Sequence, residues 1–248
     1  MGDSRALIGV GVGPGDPELV TVKALRVLED ADVILVPSTE ARASGVGRAE
    51  EIVLHHLPAK SPAVRRIPFS MAERRGVGAQ RSSAWEVSAQ AAVKAFEHGA
   101  RLVAFATVGD PSVFSTFSYL CDLVARRVEV ETEVVPGITA MQAIAAASRT
   151  PLVEGQEILS LVPWTVGPQA LAQLCEVSDT VVVYKGGREM TELREVLASQ
   201  GRLGEAILGT DLGLATEQVV PLAEVSCRTP YFSTVLAAPR HSTTGGRI

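Results

Sequence analysis

"GVGVGPGDPELVTVKAL", residues 9–25, decides how the fold is read. Gly9, Gly11, Gly13 and Gly15 alternate between an apolar run, "ALIGVGV" (6–12), and an amphipathic stretch. The run reads as a buried strand. Asp16 can cap a helix, and Pro17 suits its first position. Leu19, Val22, Leu25 and Leu28 recur every three residues and carry that helix to about Glu29. "DVILVP" (32–37) is then a second strand. Several nucleotide and cofactor folds open with such a strand, turn, helix and strand. The dinucleotide fingerprint G-x-G-x-x-G fits poorly, because Pro14 breaks its register and the helix starts only at Pro17. An NAD site would also want an acidic residue after the second strand, where Glu40 is the candidate. Taken alone, the turn reads equally well as glycines avoiding steric clash at a strand end.

Further along, the pattern keeps alternating. A polar loop (38–48) precedes a helix over 49–57, and "AVRRIPF" (63–69) reads as a third strand. Residues 70–82 read as a mobile loop, and 83–99 as a helix ended by Gly99. "RLVAFAT" (101–107) is a fourth strand, 114–126 a helix, and "EVETEVVPG" (129–137) a fifth strand. After Gly137 come a helix (139–148), strands near 157–162 and 180–184, and helices near 168–175 and 189–200. Strands near 205–210 and 231–237 surround a segment 211–225. This is an α/β chain of two domains. Residues 1–137 carry a parallel sheet, 138–240 a mixed sheet, and 241–248 form a polar tail.

Composition narrows the classes of function. A net charge of −5 argues against a nucleic-acid binder. Cys121, Cys175 and Cys227 are far apart and show no CxxC pattern. They read as reduced thiols of a cytoplasmic protein, not as a zinc site or a disulfide framework. His55 and His56 are adjacent, so they are not expected to share a direction, and no metal site is expected. No apolar run reaches the ~18 residues of a membrane span, and the first residues lack a signal-peptide pattern.

Two more turns resemble the first in placement. "ATVGDPSVFSTF" (106–117) and "VVPGITAMQA" (134–143) each join the end of a strand to a helix through glycine and proline. Either alone reads as an ordinary capped helix start. Ligands of open parallel sheets bind outside the carboxyl ends of the strands. If the first, fourth and fifth strands are neighbours, all three turns converge on one site.

Together these residues resemble a known family. "GVGVGPGDPELVTVKAL", "TVGDPSVFSTFSYL", "VVPGITA", "VVVYKGGR" and "PYFSTVLA" are similar, in order and spacing, to the motif series of the tetrapyrrole methylases. "GDPSVFSTFSYL", "PFSM" (68–71) and "PYFSTVLA" most resemble the branch that methylates C20 of precorrin-2. The resemblance implies two α/β domains with S-adenosylmethionine in the cleft between them, S-adenosylhomocysteine as product, and a homodimer. It also implies cofactor contacts from Pro14, from Val108, Gly109 and Asp110, and from Ser115 and Thr116. Thr139, Ala140, Tyr184, Leu214 and Ala215 complete the implied set. At Tyr184 relatives often carry methionine, so the sequence departs from the family there.

The chemistry expected is attack of an electron-rich meso carbon on the methyl of a sulfonium, which needs no metal. No Asp/His constellation marks a base, so the catalytic residue is unassigned. A precorrin is a flat ring edged with carboxylates, which suits arginine forks. Arg42 and Arg48 share one polar loop; Arg74, Arg75 and Arg81 share another; Arg188 follows "YKGG". Singly, each reads as a solvated surface charge. As a set, they read as a cationic rim for the substrate. The other readings are a sister methylase acting at another ring position or on a cobalt-bearing ring, and a module that binds cofactor without catalysis.

Overall fold

The computed structural model describes residues 4–38, 45–57, 62–68, 78–226, 228–230 and 232–240, the side chains of 79–81 excepted. The chain divides into two compact units, Met1–Thr139 and Ala140–Ile248.

The first unit is built on five parallel strands: β1 (Ala6–Gly11), β2 (Val33–Ser38), β3 (Ala63–Pro68), β4 (Leu102–Thr107) and β5 (Glu131–Val135). Their order is β3-β2-β4-β1-β5. Strand alternation sends successive side chains to opposite faces. Leu7, Leu35, Val103 and Phe105 meet α3 (Ala79–Glu97) and α4 (Phe117–Ala125) through Phe96, Phe117 and Leu120. Ile8, Val10, Ile34, Val36 and Ala106 meet α1 (Val22–Asp30) and α2 (Arg48–His56) through Ala24, Leu28, Ile52 and Val53. Both faces are thus covered, as near-continuous apolar strands require. Gly9 faces α4 because a Cβ there would stand 2.5 Å from the Phe117 ring.

The first helix differs from expectation. Pro17–Leu19 forms only a 3-10 turn, with the Asp16 carboxylate accepting from Glu18 N at 2.8 Å. Val20 is extended, and the Thr21 hydroxyl accepts from Ala24 N at 3.2 Å to start α1 afresh. The buried stripe of α1 is Ala24 and Leu28, while Val22 is 63% exposed. The three-residue spacing was therefore not the packing face. Residues 79–82, expected in a loop, lie in α3, which begins at Ala79; residues 70–77 lie outside the described residues.

In the second unit, α5 (Ala140–Ser148) leads to β6 (Leu159–Pro163), α6 (Pro168–Val177), β7 (Thr180–Tyr184) and α7 (Met190–Ser199). Then come β8 (Ala206–Thr210), β9 (Gln218–Pro221) and β10 (Ser233–Ala237). The sheet order is β6-β7-β10-β8-β9; only β6 and β7 run parallel. β9 lies inside the segment 211–225, for which no strand was expected. One face carries α6 and α7 around Trp164, Leu171 and Leu193; the other packs Val182 and Leu236 on Ile144 of α5.

Arg202 fastens this unit. Its guanidinium donates to the carbonyls of Cys175 (3.3 Å), Ser178 (3.1 Å), Ala237 (3.2 Å) and Asp179. These include the carbonyls that α6 leaves without helical partners. Arg202→Ala should cost about 2–3 kcal/mol, given the worth of charged hydrogen bonds. Arg202→Lys should recover only part, because an ammonium cannot fan across four acceptors. Thermal melting checks this; an unchanged midpoint in the alanine variant would show that water replaces the guanidinium without loss.

Candidate active site

The order β4-β1-β5 makes the three glycine-bearing turns neighbours at the carboxyl end of one sheet. Gly9 is level with Phe105 on one side and Val134 on the other, so the strands end together. The turns then knit by main chain. Val12 N donates to Thr107 O at 3.0 Å, and Gly109 N donates to Gly13 O at 2.8 Å. A Cβ at Gly11 would stand 2.6 Å from both Gly109 O and Gly137 N. A Cβ at Gly137 would meet Gly109 O and, at 2.8 Å, the Gly11 backbone. Gly11, Gly109 and Gly137 therefore pack backbone on backbone, one from each turn.

Asp110 ties the second turn to the third. It is 9% exposed. Its Oδ1 accepts from Ser112 N at 2.7 Å, and its Oδ2 accepts from Gly137 N at 2.9 Å. Both oxygens thus serve main-chain donors. That makes Asp110 a positioning residue for the turns. Gly109 has φ +74°, and a Cβ there would find only Thr139 Cα, at 3.8 Å. Bare main chain therefore faces open space beside Thr139, a cradle where a ligand can approach closely.

The other expected residues separate into groups. Pro14 is buried and Val108 half-buried in the same turns. Ser115 Oγ accepts from Phe117 N (3.3 Å) and donates to Thr107 Oγ1 (3.5 Å), so it shapes the start of α4. Thr116 is half-buried at that helix's N-cap and makes no side-chain capping bond. Thr139 is 6% exposed and stands just before α5. In the second unit, the Tyr184 hydroxyl accepts from Met141 N at 2.7 Å, a capping role at the N-terminus of α5. Leu214 and Ala215 sit in the β8–β9 connection, where Leu214 N donates to Asp211 O at 2.9 Å and Ala215 is exposed.

Among the arginines, Arg48 is 6% exposed and is the first residue of α2, one position earlier than the expected helix start, so it is not a solvated loop residue. Arg188 is exposed in a 3-10 turn after β7. Arg42, Arg74, Arg75 and the side chain of Arg81 lie outside the described residues, as do Glu40 and Cys227. Burial, with Asp122 adding to it, pushes the Cys121 thiol up to about 11. Burial also raises Cys175, against a smaller opposite pull from Arg202. Neither is poised as a nucleophile. Among the described residues no group of His, Cys, Asp or Glu could hold a metal ion, and no helix is long and apolar enough to cross a membrane.

Sequence reasoning missed the joint roles of Gly11 and Gly137. The alternating glycines and the Pro-Gly pair were visible, but their mutual approach depends on strand order.

Comparison with known proteins matches this arrangement. A family model described as tetrapyrrole (corrin/porphyrin) methylases matches residues 6–226. The precorrin-2 C(20)-methyltransferase of Sinorhizobium sp is 36% identical over 236 residues, 93% of this chain and 94% of that protein. The cobalt-precorrin-2 C(20)-methyltransferase of Salmonella typhimurium is 32% identical over 233 residues, 93% of this chain and 94% of that protein. The solved uroporphyrin-III C-methyl transferase of Thermus thermophilus, complexed with S-adenyl homocysteine, shares the fold with a TM-score of 0.65. It is 24% identical and covers 94% of this chain and 97% of its own.

Proposed function

The chain belongs to the tetrapyrrole (corrin/porphyrin) methylases, and from that membership we propose that it transfers a methyl group from S-adenosylmethionine to C20 of precorrin-2. The observation that carries the choice of substrate is the near full-length likeness to a methylase of that carbon. The junction of Gly11, Gly109 and Gly137 supports use of a small-molecule cofactor at the strand ends.

The residues present fit that cofactor. Open space beside bare main chain at Gly109, the Thr116 hydroxyl beside Ser115, and apolar Pro14 and Val108 offer room, a hydrogen-bonding group and an apolar wall. S-adenosylmethionine supplies an electrophilic methyl group on a positively charged sulfur. The protein's part is to hold donor and ring carbon in line and to exclude water. Alignment of that kind supplies ~7–11 kcal/mol of a barrier in favourable cases. Asp110 acts indirectly, by keeping two turns in register. Thr139 and Ala140 border the third turn. Tyr184, Leu214 and Ala215 are assigned to the cofactor on the family resemblance alone.

Substrate carboxylates are assigned to Arg42, Arg48, Arg74, Arg75, Arg81 and Arg188. Arg48, being buried, would serve an inner carboxylate. The enzyme works as a cytoplasmic homodimer on this reading; the homodimer rests on the family resemblance, and the cytoplasm on free thiols at Cys121 and Cys175.

A second reading places cobalt in the ring, since a relative 32% identical acts on cobalt-precorrin-2. One experiment separates them. The protein is incubated with methyl-labelled S-adenosylmethionine and precorrin-2, with and without cobalt, and the new methyl is located by NMR. Label at C20 of the metal-free ring is expected, and chelation should not reduce it. Label only on the cobalt ring supports the second reading. Label at another carbon overturns the C20 assignment, and cofactor binding without transfer overturns catalysis.

A further inference from the structure

Glu50 and Arg66 form an ion pair that the family motifs and the three turns leave unused. Glu50 lies in the first turn of α2 and is 8% exposed. Its Oε2 meets Arg66 Nε at 2.7 Å and accepts from Gly47 N at 3.4 Å. The second bond satisfies the N–H of Gly47, the N-cap residue of α2, which has no side chain to return a bond. Arg66 is on β3, level with Val36 of β2. Ile67 packs on the α3 side, so alternation turns Arg66 toward α2.

Register places Arg66 at the working end of the sheet. Leu35 is level with Phe105, and Phe105 with Gly9. Val36 and Arg66 therefore stand about one residue short of the level of Gly11. β3 lies three strand steps from β1. At ~4.8 Å per step, that is about 14 Å along the sheet end. A macrocycle with carboxylate arms spans such a distance.

The pair also has an uneven construction. Glu50 is buried, whereas the Arg66 side chain is 39% exposed. The contact engages Nε, and a guanidinium carries four further N–H donors on its two Nη. An ion pair at that exposure contributes little to folding, while a buried carboxylate is costly. What the pair does achieve is a cation whose rotamer is fixed before any anion arrives.

We propose that Arg66 binds a carboxylate of the tetrapyrrole through its Nη groups, and that Glu50 is the positioning residue that aims the guanidinium. This rests on the methyltransferase reading above. The test uses R66M, R66K, E50Q and the double variant E50Q/R66M. Glutamine keeps an acceptor for the Gly47 N–H and removes the buried charge that R66M alone would leave unpaired. KM and kcat for precorrin-2 are measured beside melting temperature and Kd for S-adenosylhomocysteine.

R66M and the double variant should raise KM by about 10- to 100-fold, the usual worth of a charge-assisted contact. Their kcat and S-adenosylhomocysteine affinity should stay close to wild type, and the double variant should melt normally. R66K should recover only part of KM, because lysine lacks the planar fork. E50Q should raise KM by a smaller factor. A double variant with wild-type KM overturns the Arg66 assignment alone. A wild-type chain that transfers no methyl group to the tetrapyrrole overturns the functional reading and the Arg66 assignment with it.

Discussion

Gly11→Ala is expected to reduce methyl transfer by ~100-fold or more, the scale of loss when reacting groups are misplaced by about an ångström. The added Cβ would stand 2.6 Å from Gly109 O and from Gly137 N. Both neighbours are main chain, so no side-chain rotation relieves the clash. One of the three turns must move, and with it the surface they form together. Overpacking of this kind typically costs ~1–3 kcal/mol of stability, so the variant should fold with a lowered melting temperature. Calorimetry with S-adenosylhomocysteine should show weakened binding in the folded variant. Gly204→Ala is the control, because a Cβ there meets nothing within 4 Å. Its activity and melting should match wild type. A Gly11→Ala enzyme with normal cofactor affinity would separate the glycine junction from cofactor binding.

Asp110→Ala is expected to have the next largest effect. It strips acceptors from Ser112 N and Gly137 N at once. Leaving a buried donor unsatisfied costs ~1–3 kcal/mol. Loss of the tie should also lower kcat/KM by about 10- to 100-fold through misplacement. Asp110→Asn should fall between, since its single amide oxygen can serve one donor while its NH₂ opposes the other. Were Asp110 instead a proton acceptor in the reaction, Asp110→Asn would be as inactive as Asp110→Ala. Activities and melting temperatures of the two variants therefore discriminate between positioning and proton transfer.

The strands were legible because their signal is local. "ALIGVGV", "DVILVP" and "RLVAFAT" are apolar runs of the right length, and each is a strand in the structure. The edge strand β9 was not legible, since Gln218–Pro221 is short and lacks a marked alternation. The start of α1 was misread for a related reason. Leu19 and Val22 have helical spacing, but Asp16 and Thr21 each offer a capping oxygen. Two competing local bonds split one expected helix into a turn and a helix, and apolar periodicity carries no information about that competition.

The site divides in the same way. The amino-acid sequence by itself determined the family and singled out three turns: each carries glycine with proline at a strand end, and their series resembles one family. It also determined the chemistry expected, because the motif series spans nearly the whole chain. Only the tertiary structure decided what the residues do to one another. The pairing of β4 with β1 and of β1 with β5 brings Gly109 and Gly137 to Gly11 from distant parts of the chain. That pairing turns Asp110 from a plausible helix cap into a bridge between two turns. Elsewhere in the same unit, Arg48 is buried at the start of α2, and β3, paired with β2, sets Arg66, overlooked in a strand, beside Glu50. The physical reason is that strand order is a non-local choice. Each strand's own residues specify which of its faces are apolar, but the neighbour it pairs with is selected by packing of the whole sheet and its helices.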